Sequence, residues 1–240
     1  MPSKYFLGIG INYIGTSSQL YGCINDVVNS EKFFKNKFPD LQSTFLTDTT
    51  VKKPTRDVIL AEIQMLLVKS KPFDTIILHY SGHGTSVVDT NGDEEDKKDE
   101  CIVPIDLKVI TDDTLSNILL NYLKPNVFLF CLFDSCFNGT VLDLKYTYLS
   151  STIPIKINNN KPQPKGKVIM ISGSRDDQTS ADTYINNNFT GALTWAFLNA
   201  YPNSRSWTNL VENIRGLLKN KYTQIPLLSY NNGNINDRLL

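Results

Sequence analysis

Four short apolar runs, Tyr5–Ile11, Asp74–Tyr80, Val127–Phe133 and Lys167–Ser172, carry β-branched and aromatic residues with little polar alternation, the pattern of strands buried in a mainly parallel sheet. Between them the period changes. Ile24, Val27, Val28, Phe34 and Phe38 recur at near-helical spacing, as do Val58, Ile59, Ile63, Leu66 and Leu67, the second set opened by Pro54 and Thr55. Phe189, Leu193, Ala196, Phe197 and Ala200 form another helical stripe, and Trp207–Leu218 a fourth helix before a short run at Pro226–Leu228. Strands alternating with helices predict an α/β sandwich. Nothing repeats. The stretch from Lys156 to Gly166, where Asn158, Asn159 and Asn160 precede Lys161, Pro162, Gln163, Pro164 and Lys165, predicts an exposed loop between a larger first part and a smaller second.

Length and composition narrow this picture. A chain of 240 residues that is 41% hydrophobic can bury one sizeable core, so one domain is expected. Its 24 basic and 24 acidic residues cancel, and no global field draws it to nucleic acid or to an anionic membrane. The opening residues lack the long apolar core of a secretory signal, and no run approaches the roughly 18 apolar residues of a membrane span. Cys23, Cys101, Cys131 and Cys136 are scattered, without a CxxC pair, which predicts reduced thiols in a cytoplasmic setting.

His83 follows a predicted buried strand directly and stands between Gly82 and Gly84, which let the backbone turn sharply. Cys136 lies just beyond another such strand, in Phe133-Asp134-Ser135-Cys136. If the two strands are parallel neighbours, both side chains emerge at the sheet's carboxyl edge, where open α/β sheets build their sites. Taken singly, each has an ordinary explanation, a packed histidine and a small buried thiol. Together they suit nucleophilic catalysis. A thiol with a pKa of about 8.5 is only a few per cent thiolate at neutral pH, and an adjacent imidazole lowers that value and later protonates the leaving amine.

Other chemistries fit less well. Gly8-Ile9-Gly10 hints at a dinucleotide loop, but Tyr13 stands where the third glycine is needed. Leu142 occupies the position six beyond Cys136, where a Cys-based phosphatase carries Arg. The only other histidine is His79, too little for a zinc site, and it is expected to pack or bond locally.

Tyr80-Ser81-Gly82-His83-Gly84 and Asp134-Ser135-Cys136, with Gly22-Cys23-Ile24-Asn25-Asp26 upstream, resemble the motifs of a metacaspase. The resemblance spans most of the chain, through Asp99–Asp106, Ile110–Asp113 and Ile171–Gly173 into Asp176–Asp182. It implies a caspase-like, three-layer α/β/α sandwich. Residues 1–150 would be the large-subunit-like part, 151–166 a linker and 167–240 the small-subunit-like part of a single peptidase domain, a bare catalytic core. By the same resemblance His83 and Cys136 form the dyad, and the amides of Gly84 and Cys136 form an oxyanion hole of the kind that contributes a few kcal/mol to acyl transfer. A monomer is implied too, since in this family extra strands cover the edge that caspases pair.

The resemblance also assigns Cys23, Asp26, Ser81 and Asp134 to the pocket for the residue before the scissile bond. Two carboxylates and no basic residue there imply cleavage of protein or peptide substrates after Arg or Lys, unlike caspases, which cut after Asp. Asp26 alone has a second explanation, a favourable carboxylate at a helix N-terminus.

From Asp89 to Glu100, seven acids accompany only Lys97 and Lys98. Asp89, Asn91, Asp93 and Glu100 tempt an EF-hand reading, which fails because Glu94 replaces the turn glycine and a strand-like segment follows. Asp93–Asp96 also reads as an ordinary solvated loop. The metacaspase pattern instead implies a calcium site at Asp99, Asp112, Asp113 and Asp143, hard oxygen ligands suited to Ca2+. Calcium is expected to order the cleft loops, with a zymogen-like form in its absence. Self-cleavage is expected in the Lys-containing loop, at Lys156, Lys161, Lys165 or Lys167, because exposed loops are preferred nicking sites. Phe137 and Asn138 depart from the His and Ser that metacaspases commonly carry after the nucleophile, which bears on substrate range and rate. The rival reading from another class is a noncatalytic caspase-like scaffold.

Overall fold

The computed structural model describes residues 1–89, 97–135, 141–159, 161–173, 182–185, 188–222 and 224–240, with the backbone alone for 182, 183 and 185. In chain order the elements are β1 (Lys4–Gly10), α1 (Cys23–Lys37), β2 (Gln42–Thr47), α2 (Arg56–Lys69), β3 (Thr75–Ser81), β4 (Gly84–Val88), β5 (Lys98–Ile102), β6 (Ile110–Thr111), α3 (Asp112–Tyr122), β7 (Phe128–Asp134), β8 (Tyr146–Tyr148), β9 (Lys156–Ile157), β10 (Lys167–Ser172), β11 (Asp182–Ile185), β12 (Asn188–Gly191), α4 (Ala192–Ala200), α5 (Trp207–Leu218) and β13 (Leu227–Tyr230).

Eight strands form the central sheet in the order β2-β1-β3-β7-β10-β13-β8-β9. The run from β2 to β10 is parallel, and the last three strands join it antiparallel. This is the mainly parallel, helix-flanked α/β sandwich that the alternation of apolar periods predicts. β4, β5 and β6 make a separate antiparallel sheet, and β11 pairs with β12.

Successive side chains of the central strands point to opposite faces, so each strand feeds two cores. On β7, Leu129, Cys131 and Phe133 join Ile59, Ile63 and Leu66 of α2 and Leu115 and Leu119 of α3. Phe130 and Leu132 join Phe34 of α1, Leu193 and Phe197 of α4, and Trp207 and Leu210 of α5. Phe130 sits at the centre of the second core, stacked on Phe197 at 5.6 Å and 5.0 Å from Trp207 between ring centroids. Gly8 and Gly10 face α1. A Cβ at Gly10 would stand 2.5 Å from the Cys23 carbonyl oxygen and 2.8 Å from Val27, so the two glycines serve close helix packing.

Three local expectations change. Phe189 lies in β12, and the helix starts only at Ala192. Asp112–Tyr122 is a helix that the apolar pattern alone left unpredicted, opened by Thr111, whose hydroxyl accepts from the Thr114 amide. The Lys156–Gly166 stretch is only partly an exposed loop: Lys156 and Ile157 pair with β8, while Pro164 and Gly166 are buried. Asn231 holds them there by donating to the carbonyls of Pro164 and Gly166. Among the described residues no helix is long and apolar enough to cross a membrane.

Replacing Phe130 by Ala removes the ring on which α4 and α5 converge. Denaturant unfolding should show a loss of about 3–5 kcal/mol with an unchanged m-value.

Candidate active site

The parallel register sets Ser81 opposite Asp134 at the carboxyl ends of β3 and β7. His83 therefore leaves the sheet beside the strand that leads into Cys136. Cys136 itself, with Phe137 and Asn138, lies outside the described residues, as do 90–96, including the acids Asp93–Asp96, and Asp176 to Ala181.

His83 is gripped through its backbone by two tyrosines. Its amide donates to the Tyr13 hydroxyl at 2.9 Å, and its carbonyl accepts from the Tyr80 hydroxyl at 2.6 Å. Tyr13 in turn donates to the Val103 carbonyl at 2.6 Å, and the Val103 amide donates to the His83 carbonyl at 3.1 Å. Gly82 is required by this packing, since a Cβ there would lie 2.7 Å from the Tyr80 hydroxyl and 3.0 Å from that of Tyr13. The imidazole stands 4.6 Å from the Tyr13 ring, and its Nε2 lies 2.7 Å from the Ser18 carbonyl oxygen. A carbonyl can only accept, so Nε2 carries the proton and Nδ1 is the basic nitrogen of the neutral ring. Gly84 follows as the first residue of β4, opposite Ile102.

Behind the histidine, two carboxylates meet under β12. Asp26, in the first turn of α1, is fully buried and accepts from the Ser81 hydroxyl at 2.7 Å, the Thr190 hydroxyl at 2.6 Å and the Gly191 amide at 2.9 Å. It therefore does not cap its own helix, whose N-cap residue is Gly22. Asp134, also fully buried, accepts from the Thr194 amide at the start of α4 at 2.8 Å, where the helix dipole favours an anion. A Cβ at Gly191 would run into Asp134 and lie 2.8 Å from Asp26 Oδ2, so glycine alone fits between the two acids. Burial, then the charge of Asp134, push the Asp26 carboxyl up to about 8 against the pull of its hydrogen bonds. Cys23, at the start of α1, is buried. The structure thus brings Asp26, Ser81 and Asp134 together around Thr190, Gly191 and Thr194. These last three lie more than 100 residues from Asp26 and announce themselves by no motif.

His79 packs on the same face, buried, 3.2 Å from the Thr194 hydroxyl. Burial pushes its pKa down to about 3 and keeps it neutral. It packs, as expected, and the bond it makes is to a residue distant in sequence. Cys101 and Cys131 are buried thiols outside any disulfide, and burial pushes Cys101 up to about 12, well away from thiolate chemistry.

A second acid group sits where β5 meets α3. Carboxylate oxygens of Asp99, Asp112 and Asp113 lie within 4.8 Å of one another. Asp112 accepts from the Glu100 amide at 2.9 Å, and burial followed by the charge of Asp143 pushes it up to about 7. Asp143, buried and with a left-handed φ of 50°, stands apart from the trio but near enough to act on Asp112. Closely set hard oxygen donors, those of Asp99 and Asp112 buried, fit a divalent cation. Of the lysines in the linker, Lys156 and Lys165 are exposed and Lys167 opens β10 in a pair with Asp237. Lys161 is folded inward onto Asp143.

Residues 4–145 match the family model described as metacaspase, peptidase C14 domain. Metacaspase-1B of Neosartorya fischeri is 37% identical over 92% of the chain and 67% of its own length. Metacaspase-1 of Kluyveromyces lactis is 36% identical over 92% of the chain and 64% of its own length. The chain thus spans about two thirds of these relatives. In fold it is similar to a Geobacter sulfurreducens protein of known structure, with TM-score 0.74 at 22% identity over 99% of this chain and 97% of that one. It is also similar to the Drosophila initiator caspase Dronc, with TM-score 0.56 at 13% identity over 98% and 82% of the two chains.

The raised Asp26 carboxyl has a definite pH signature. Its folded value lies above its unfolded one, so the folded state holds the extra proton and stability falls as pH rises from roughly 4 towards 8. Melting temperatures recorded across that window should fall less steeply for Asp26→Asn than for the parent; parallel profiles would contradict the assignment.

Proposed function

Because the chain belongs to the metacaspase family of C14 cysteine peptidases, we propose that it is a calcium-dependent endopeptidase that cuts after Arg or Lys and processes itself in its linker. The observation that carries the specificity is the pair of fully buried carboxylates, Asp26 and Asp134, behind His83. Two acids so close are stabilised by a cation between or beside them, and a guanidinium or ammonium group reaching in from a substrate supplies one. An acidic substrate residue meets repulsion instead.

In this reading the Cys136 thiolate attacks the scissile carbonyl, forming an S–C bond as the carbonyl oxygen takes the negative charge near the Gly84 and Cys136 amides. His83 Nδ1 holds the thiol's proton and delivers it to the leaving amine as the C–N bond breaks. Water, activated by the same nitrogen, then hydrolyses the thioester and restores the thiol. The Ser18 carbonyl keeps Nε2 protonated and so dedicates Nδ1 to this traffic, while Tyr13 and Tyr80 hold the backbone that aims the ring.

Asp99, Asp112, Asp113 and Asp143 would hold the calcium ion. Bound there, calcium would supply the positive charge that lets these acids ionise together, with β5, α3 and the Asp143 turn providing the donors. The linker residues Lys156 and Lys165, both exposed, are the sites best placed for self-cleavage. β8 and the two-residue β9 extend the sheet past β13 and cover its outer edge, which supports a monomer. Thiols at Cys23, Cys101 and Cys131 support a reducing, cytoplasmic compartment. Residues 1–150, 151–166 and 167–240 serve in this reading as large part, linker and small part of one peptidase domain.

Fluorogenic peptides ending in Arg, Lys or Asp, each with millimolar calcium or with chelator, test the whole reading. Cleavage should follow Arg and Lys only, require calcium and vanish in Cys136→Ala; no cleavage in any condition would favour a noncatalytic scaffold. Asp134→Asn should lower kcat/KM on Arg peptides roughly 10- to 100-fold, the loss of one charge-assisted bond. Tyr13→Phe, which frees the His83 amide without touching substrate, should lower kcat about tenfold and leave KM nearly unchanged.

A further inference from the structure

Lys161 is a linker lysine that the fold hides. Its ammonium lies 2.7 Å from Asp143 Oδ1, with side-chain exposures of 9% and 2% for the two residues. The neighbouring chain is pinned at several points. Gln163 donates to the carbonyls of Asp143 at 3.0 Å and Lys161 at 3.2 Å, and its side-chain oxygen accepts from the Lys145 amide at 3.1 Å. The Asn158 amide donates to the Lys145 carbonyl at 2.8 Å. Asn158, Lys161 and Gln163 are thus laced onto 143–145, and the lace carries a buried positive charge to the acid group formed by Asp99, Asp112 and Asp113 beside Asp143.

The next residue is Pro162, so the bond after Lys161 is a prolyl one, with no N–H and a ring on its nitrogen. That makes Lys161 a poor place to cut, and its inward pose serves something other than presentation to a protease. A buried lysine is stable only where a carboxylate compensates it, and a buried carboxylate such as Asp143 needs a positive charge in return.

We propose that Lys161 is the resident counter-ion of the acid cluster, a tethered ammonium that a divalent cation displaces from Asp143 on binding. This rests on the reading of the four aspartates as a cation site. The exchange swaps a single charge with limited reach for an ion that several carboxylates share. Once displaced, Lys161 no longer ties the linker to the Asp143 turn, and the exposed lysines on either side, Lys156 and Lys165, gain freedom as the site fills. Lys161 thereby sets the concentration of divalent ion at which the linker is released.

Calcium affinity measured calorimetrically on the full chain tests this, with Cys136→Ala as the parent so that no self-cleavage intervenes. Lys161→Met and Lys161→Gln should bind calcium at least about tenfold more tightly than the parent, because no internal cation has to leave, while Lys161→Arg should not gain. In the parent, acylation of Lys161 by an amine-reactive acetylating reagent, read by mass spectrometry, should rise on calcium saturation. Melting curves establish that each variant is folded. Equal calcium affinity in the parent and in both neutral variants, or a Lys161 that stays protected at saturation, would overturn the counter-ion role while leaving the cation site intact. Absence of calcium binding in every protein, folded Lys161→Arg included, would remove the site itself and the inference with it.

Discussion

Ser81 stands opposite Asp134 in the parallel pairing of β3 with β7, and the chemistry of the chain hangs on that register. His83 lies two positions beyond Ser81 and Cys136 follows Asp134 by two in the sequence, so the pairing closes the strands that lead to both at one edge of the sheet. A slip of one residue would turn Ser81 away from Asp26 and send the apolar side chains of β7 to the wrong cores. On the other flank of β3, the glycines of β1 allow α1 to settle close to the sheet, which brings Asp26 under Ser81. Close packing and strand register together place the acids, and neither does so alone.

Two buried groups of carboxylates result, and each is held in a different way. Asp26 and Asp134 are steadied by neutral donors: two hydroxyls, the Gly191 amide and the Thr194 amide at the start of α4. Burial, and after it the charge of Asp134, outweigh these donors and push Asp26 up to about 8. The second group receives part of its positive charge from within, through Lys161. In the proposed function the first cluster receives a cation on a substrate side chain and the second an exchangeable ion.

Much of this was legible in the chain alone. The strands came through because their apolar runs are continuous, and Trp207–Leu218 reads as a helix to the residue because its stripe is amphipathic and capped by Ser206. His83 and Asp134 were legible because each sits at the end of such a run, in a motif with few other uses. The pattern misled where local and distant demands conflict. Phe189 has helical spacing to Leu193, yet it belongs to β12, because residues 188–191 pair with β11 and the helix opens only at Ala192. The Asn- and Pro-rich linker has the composition of an exposed loop, yet Asn231 and Asp143 pull part of it inward.

Apolar periodicity and short motifs, which are local properties, determined the α/β class, the order of the main elements and the identity of the chemistry-bearing residues. The tertiary structure decided which partners those residues meet: Tyr13 and Ser18 on His83, Thr190 and Gly191 on Asp26, Lys161 on Asp143. Those contacts join segments up to 165 residues apart, and whether they form depends on strand register, helix seating and desolvation, quantities that exist only once the whole chain has folded.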